Sequence, residues 1–368
     1  MTTPYRIGVD IGGTFTDFAL LDTRSGGIVV HKQLTTPADP SLSVLDGIDQ
    51  LLARAGVAID AVAGIVHGMT LVTNAVLERR GARTAMLVTR GFRDVLDIGM
   101  ERRYDLFDLR LRFAEPVVPR AWRAEIDERL TWDGTVAVAL DAAQVRNAVR
   151  ALVGEHGIEA IAICFLNSYV DARHEHAAAA IIKEAFPALH TSCSADIVPF
   201  MREYERWTTT TVNAYTQPVL DRYLGRIEEG LARRRYGGTF HVMTSSGGVV
   251  TNALARRFPV RLIESGPAAG ILMTGFLGRL SGETHLLGFD MGGTTAKGSL
   301  LANGLPLKRY DVEVARVHDF KAGSGVVCGA VQPKMLRRSG VRRFQWVACS
   351  NAAPRRSKVF SAKGLPSS

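Results

Sequence analysis

No run of apolar residues approaches the roughly 18 that a membrane-crossing helix requires. The first residues, Met1 to Arg6, lead straight into a strand-like Ile-Gly-Val-Asp without the apolar core and small-residue cleavage site of a signal peptide. A cytoplasmic protein that does not engage a membrane is expected. Cysteine is scarce, and Cys164, Cys193, Cys328 and Cys349 share no metal-ligand or redox spacing, so a disulfide framework and a sequence-local zinc motif are both excluded and reduced thiols are expected. Acidic residues are missing from one stretch only. From Lys321 to Ser368 there are four Lys and six Arg and no Asp or Glu, whereas the residues up to Phe320 hold 35 basic against 36 acidic groups. The net charge of +9 over 368 residues therefore belongs to the C-terminal stretch. A neutral body lacks the basic surface with which a fold binds nucleic acid, and no nucleic-acid partner is expected. A P-loop is also excluded, because no Gly-x-x-x-x-Gly-Lys-Ser/Thr occurs.

What is present is globular: 46% hydrophobic and 22% charged residues, in a length that accommodates two or three domains. Apolar runs at Tyr5 to Ile11, Asp17 to Leu21 and Ile28 to Leu34, separated by turn residues, predict a three-strand meander. A helix should follow, capped by Asp39 with Pro40 in its first turn, presenting Leu42, Leu45, Ile48 and Leu52 on one face and stopping at Gly56. Strand and helix patterns then alternate, an α/β grammar with a parallel component. Residues 104 to 140 read as an insertion, and Asp141 with Gln144 reads as a capping box. The segment from Pro199 to Arg234 is mostly helical, and a second unit is expected to open near His241. The expected domains are residues 5–198, 199–325 and a basic tail, 326–368.

One internal repeat carries chemistry. Residues 8 to 21 read Gly-Val-Asp-Ile-Gly-Gly-Thr-Phe-Thr-Asp-Phe-Ala-Leu-Leu, and residues 288 to 301 read Gly-Phe-Asp-Met-Gly-Gly-Thr-Thr-Ala-Lys-Gly-Ser-Leu-Leu. Two glycines let the backbone turn tightly and aim several N–H groups at an anion, and a Thr hydroxyl adds a donor. An aspartate beside a phosphate makes sense if Mg²⁺ lies between them, since that ion is held through one or two carboxylates together with phosphate oxygens. Asp10 and Asp290 are thus the candidate metal ligands and catalytic carboxylates. Gly12, Gly13, Gly292 and Gly293 would cradle phosphate, with Thr14, Thr16, Thr294 and Thr295 as donors and Lys297 as a cation. A single copy would equally be an ordinary tight hairpin; duplication in matching strand contexts favours the phosphate reading. The signature resembles the superfamily of actin-like ATPases, sugar kinases and large heat-shock chaperones, which implies an α/β fold of two ribonuclease-H-like units, here with the second incomplete, closing on ATP.

The motifs Val9-Asp-Ile-Gly-Gly-Thr-Phe-Thr-Asp17, His67-Gly-Met-Thr-Leu-Val-Thr-Asn-Ala-Val76, Thr89-Arg-Gly-Phe-Arg-Asp94, Arg202-Glu-Tyr-Glu-Arg206, Glu264-Ser-Gly-Pro-Ala-Ala-Gly270 and Asp290-Met-Gly-Gly-Thr-Thr-Ala-Lys297 resemble, in order, the hydantoinase A / 5-oxoprolinase family. The resemblance implies ATP-dependent opening of a cyclic amide or imide such as hydantoin or 5-oxoproline, in which the ring carbonyl oxygen attacks the γ-phosphate. It implies a B-type partner subunit. Acetone carboxylase subunits share the broad family and phosphorylate a ketone enol, so that substrate stays open, as does a nucleotide-regulated binding protein or an inactive fragment. His67 is either a substrate-facing catalytic residue or a packing residue. Arg202, Glu203, Glu205 and Arg206 read as a charged helix face, while the resemblance implies that Arg202 and Glu205 line the cleft. The turn after Gly266 either faces an anion or is a plain capped helix. His174 and His176, spaced i and i+2, point to different helix faces and are expected to be solvated, without a shared zinc ion. Where the family usually has Thr, this chain has Met69, which alters the polar contacts available there. Beyond Gly325 the resemblance stops, and with it the loop that would hold adenosine; residues 326–368 read as out-of-frame translation in preference to a nucleic-acid- or membrane-binding arm or a divergent structural element, and are expected to form no element packed on the core.

Overall fold

The computed structural model describes residues 3–291, 295–318, 321–329, 332–333 and 336–339. Strands β1 (Tyr5–Ile11), β2 (Phe15–Asp22) and β3 (Ile28–Leu34) form the expected antiparallel meander. Side chains alternate across a strand, so Ile7, Val9 and Ile11 share one buried face with Thr16, Phe18 and Leu20. Helix α1 (Pro40–Ala55) lies on that face. Asp39 accepts a hydrogen bond from the Ser41 backbone N–H, and Gly56, in the left-handed region at φ 64°, closes the helix. Close approach is what Gly47 permits: a Cβ there would sit 2.1 Å from the Phe18 ring. Leu42, expected on the inner face, is exposed, and Leu51 is buried with Leu45, Ile48 and Leu52. Strand β4 (Val62–Met69) then pairs parallel to β1 and leads into α2 (Leu71–Leu77).

A second sheet follows. It is built from β5 (Thr84–Thr89), α3 (Val95–Ile98), β6 (Arg123–Ile126), a small hairpin of β7 (Arg129–Leu130) and β8 (Val136–Val138), α4 (Ala142–His156), β9 (Ala160–Cys164), α5 (Arg173–Ala185) and β10 (His190–Cys193). Its four strands are parallel in the order β10-β9-β5-β6. Every residue of β5 and β9 is buried, as expected when helices cover both faces. Asp141 caps α4 by accepting from the Ala143 N–H. Gln144 does not complete the capping box: it exchanges hydrogen bonds with Asp127, accepting from its backbone N–H and donating to its carboxylate.

After α6 (Ser194–Ile197) and the 31-residue α7 (Glu203–Arg233), the chain returns to the first sheet. Strand β11 (Thr239–Met243) pairs parallel to β4, and β12 (Val249–Thr251) pairs antiparallel to β11, giving the order β12-β11-β4-β1-β2-β3. The first sheet therefore draws its outer strands from beyond the expected boundary near residue 199. The open edge of β4 needs backbone partners, and residues 239–243 supply them; α7 buries Trp207, Val212, Leu220, Leu224 and Ile227 in the same core as β1 and β4.

Past α8 (Asn252–Arg257), helix α9 (Ser265–Ser281) packs on a second antiparallel hairpin of β13 (His285–Met291) and β14 (Thr295–Ala302), through Ala268, Ile271, Leu286 and Leu301. Short strands β15 (Leu305–Pro306), β16 (Lys308–Arg309), β17 (Val312–Val314), β18 (Val326–Cys328), β19 (Gln332–Pro333) and β20 (Leu336–Ser339) follow. The expectation that nothing after Gly325 packs on the core is corrected. Val326, Val327 and Cys328 are buried, β18 pairs with β17, and the Gly329 N–H donates to Thr209 Oγ1 of α7 at 2.8 Å. An apolar Val-Val-Cys triplet is enough to add a buried strand. Strands β19 and β20 pair with β16 and β14; the rest of the tail lies outside the described residues. No helix among the described residues is long and apolar enough to cross a membrane.

Candidate functional site

Asp10 is the penultimate residue of β1, two residues before Gly12 of the Gly12-Gly13 turn, and pairs in register with Gly68 of β4. Gly12 closes the turn by donating its N–H to Phe15 O at 2.9 Å, and Thr35 braces it from outside, its N–H on Thr14 O at 2.9 Å and its hydroxyl on Gly12 O at 3.0 Å. Two glycines flank the Asp10 carboxylate. A Cβ at Gly68 would lie 3.0 Å from Asp10 Oδ1, and one at Gly266 would lie 2.9 Å from Oδ1 and 3.4 Å from Oδ2. Gly266 belongs to the first turn of α9, so the helix end expected to face an anion has the carboxylate of Asp10 against it, where the helix dipole favours negative charge. Ser265 fixes the junction: its hydroxyl donates to Met69 O at 3.0 Å and accepts from the Met69 N–H at 3.3 Å. The Met69 side chain is fully buried.

The same helix reaches the second hairpin. Pro267, Gly270, Ile271 and Thr274 of α9 face Gly288 and Asp290 of β13 around a pocket of about 60 Å³. The first turns of α9 thus lie against Asp10 and border the pocket that Asp290 lines. Asp10, Gly13, Thr14 and Asp290 are exposed and Gly12 is half-buried. Gly292, Gly293 and Thr294 lie outside the described residues, as do the side chains of Thr295 and Lys297.

Two expected site residues point elsewhere. Thr16 shares the inward face of β2 with Phe18 and Leu20, and its hydroxyl bonds to Thr35 Oγ1 at 3.0 Å and Ser43 Oγ at 3.3 Å. It cannot donate to a phosphate from there. His67 is completely buried in β4, with Tyr223 Oη 2.7 Å from Nε2 and Val9 O 3.4 Å from Nδ1. A carbonyl only accepts, so Nδ1 carries the proton and Nε2 accepts from the Tyr223 hydroxyl. Burial holds the imidazole down to about 4, hence neutral at pH 7. The packing reading of His67 is the one the structure supports, and the catalytic reading is corrected. Strand parity would have found both: Thr16 alternates with Phe18 and Leu20, and His67 with Ile65 and Met69. The glycines flanking Asp10 were missed because nothing local links Gly68 and Gly266 to it.

Other polar residues are buried more deeply than expected. Arg206 is not on a charged helix face; its guanidinium is fully buried and donates to Ser194 Oγ, Phe200 O and Phe165 O. His174 is not solvated either, since its Nδ1 lies 2.7 Å from Glu128 Oε2 and both residues are buried. Arg202 and Glu205 line a groove of about 400 Å³, opposite Phe92, Val95, Ile98 and Met100, that neither aspartate of the repeat lines. Arg202 stands there at φ 83°, a strained setting for a residue with a side chain.

Comparison with known proteins covers both halves. The family model described as the hydantoinase/oxoprolinase N-terminal region matches residues 6–186, and the one described as hydantoinase/oxoprolinase matches residues 206–327. The chain is 35% identical over 317 residues to an uncharacterized protein of Methanocaldococcus jannaschii, a match covering 85% of this chain and 46% of that protein. It is 33% identical over 297 residues to the caprolactamase subunit alpha of Pseudomonas jessenii, covering 79% of this chain and 42% of the subunit. Among solved structures it is similar to a nucleotide-free acetone carboxylase, described in connection with ATP-dependent acetone carboxylation, with a TM-score of 0.79 at 26% identity over 91% of this chain and 48% of the other. The chain spans somewhat under half the length of these relatives.

Proposed function

The chain belongs to the hydantoinase/oxoprolinase family, and we propose that it forms the ATP-grasping part of an enzyme that opens a cyclic amide or imide such as hydantoin or 5-oxoproline. The observation that carries this reading is the Asp10 carboxylate between two glycines, at the mouth of a Gly-Gly-Thr turn, on a helix whose next turn faces Asp290. The first sheet, with its antiparallel meander followed by two strands parallel to β1, supports a ribonuclease-H-like unit, and the β13–β14 hairpin supports the start of a second.

The residues fit Mg²⁺. Asp10 offers hard carboxylate oxygens, and the space beside them is the space a Cβ at Gly68 or Gly266 would fill. Asp10 and Asp290 would hold the ion, whose contribution when bound is to neutralise charge on the phosphate oxygens. The backbone N–H groups around Gly12, Gly13 and Thr14 would orient the phosphates, with Gly292, Gly293, Thr294, Thr295 and Lys297 acting from the other hairpin. The ring carbonyl oxygen attacks the γ-phosphorus of ATP, ADP leaves, and the resulting imidate phosphate is hydrolysed more readily than the amide. A B-type subunit is the expected partner, in keeping with the subunit character of the caprolactamase relative. The buried free thiols Cys164, Cys193 and Cys328 accord with the reducing cytoplasm.

The likeness to acetone carboxylase favours a second reading, phosphorylation of a ketone enol. Product analysis separates the two. ATP consumption is measured with hydantoin, 5-oxoproline or acetone, with and without a B-type subunit. Ring-opened product should form in step with ADP and fall by about two orders of magnitude or more in Asp10→Asn. ADP release with acetone alone would favour the second reading. ATP turnover without any product, or unchanged in Asp10→Asn, would refute both.

A further inference from the structure

Away from the Asp10 niche, three donors of different chemistry meet where α5, β10 and α6 come together. A ring nitrogen of His176, Cys193 Sγ and a carboxylate oxygen of Asp196 all lie within 4.8 Å of one another, the one such group of three or more His, Cys, Asp or Glu side chains among the described residues. We propose that His176, Cys193 and Asp196 bind a zinc ion. The cysteine spacing and the His174–His176 spacing both argue against a zinc motif in the sequence, and neither is involved here. The set is made by the fold, which brings the last residue of β10, the third residue of α6 and a half-exposed position on α5 to one point.

The donor set selects the metal. One nitrogen, one sulfur and one oxygen suit borderline-soft zinc, whereas calcium and magnesium take oxygen alone. Zinc bond lengths of about 2.0–2.3 Å in a tetrahedron put donor atoms roughly 3.4–3.6 Å apart. His176 and Asp196 are 2.9 Å apart now, so the site closes by small side-chain movements. The His176 side chain, 55% exposed, has room to make them, and solvent can supply a fourth ligand.

Bound as a thiolate and a carboxylate, Cys193 and Asp196 together match the charge of Zn²⁺, with the Arg257 guanidinium beside the carboxylate. The other oxygen of Asp196 is held at 2.9 Å by Arg257 Nη2, which orients the carboxylate and leaves Oδ1 to the metal. Behind the sulfur stands buried Glu175, whose backbone oxygen lies 3.6 Å from Cys193 Sγ and whose carboxylate is taken up by Phe165 N, Ser194 Oγ and Ala195 N. On binding, the Cys193 thiol gives its proton to solvent as its sulfur bonds the metal. The ion would pin α5 and α6 to the end of β10.

Metal titration of the full chain tests this, in a Cys349→Ser background that removes the one cysteine outside the described residues. After chelator stripping, the protein should take up one Co²⁺ with a thiolate-to-cobalt charge-transfer band, which one equivalent of Zn²⁺ bleaches. Cys193→Ser should abolish the band, and His176→Gln and Asp196→Asn should each weaken zinc binding roughly tenfold or more, with far-ultraviolet circular dichroism unchanged. No charge-transfer band, or equal zinc affinity in His176→Gln and the parent, would overturn the proposal. If Cys193→Ser does not fold, the exposed His176→Gln substitution decides.

Discussion

Acidification tests the placement of His67, because its burial makes a stability claim with a sign. In the folded chain burial holds the imidazole at about 4, against 6.5 when unfolded. Between those values the unfolded chain binds a proton that the folded chain refuses. The stabilisation is therefore complete above about pH 6.5 and is lost as pH falls toward 4. At 1.36 kcal/mol per pH unit the gap amounts to about 3 kcal/mol, a large part of the stability of an ordinary domain. The side chain is fully buried, so no solvent discount applies. Urea denaturation of the parent and of His67→Gln between pH 7 and about pH 4.5 isolates the contribution, since glutamine does not titrate and retains an acceptor for Tyr223. The parent should lose about 2–3 kcal/mol more than the variant across that range. Equal pH slopes would refute the argument, as would a nuclear magnetic resonance titration midpoint for His67 near 6.5. A midpoint there would also reopen a proton-transfer role that an imidazole sealed from solvent does not fill.

Three further substitutions probe separate features. Gly266→Ala places a methyl 2.9 Å from Asp10 Oδ1 and forces the carboxylate aside by a few tenths of an ångström; Mg²⁺-dependent ATP binding, read by calorimetry, should weaken about tenfold, while the melting temperature holds or rises because alanine favours helix. A lowered melting temperature with unchanged binding would mean that the niche is only structural. His174→Ala leaves the buried Glu128 carboxylate without its imidazole partner and should cost about 3–5 kcal/mol in chemical denaturation; a loss under about 1 kcal/mol would contradict the pairing. Gly47→Ala drives a methyl into the Phe18 ring, 2.1 Å away, and should destabilise by about 1–3 kcal/mol, which thermal unfolding would register as a clear fall in midpoint.

The elements that local spacing governs were legible from the residues alone. The meander β1–β3, the Asp39 and Asp141 caps, the Gly56 stop and the repeated Asp-x-Gly-Gly-Thr hairpin all depend on residues within a few positions of each other, where period and turn chemistry act directly. Parity along a strand is equally local, and it was enough to turn Thr16 and His67 inward once Phe18, Leu20, Ile65 and Met69 are counted with them. Other features had no local signal. Residues 239–243 complete a sheet begun at residue 5, Gly266 lies against Asp10, Arg206 caps the end of β9, Gln144 leaves its capping box for Asp127, and His176 meets Cys193 and Asp196. Each joins groups brought together by the need to satisfy a strand edge or a buried charge, and such needs are met by whatever the fold carries past. The sequence by itself determined the hairpins, the helix ends and the family. Only the tertiary structure decided which aspartate gains a glycine-walled niche and which histidine is sealed from solvent, because those outcomes depend on which distant surfaces pack together.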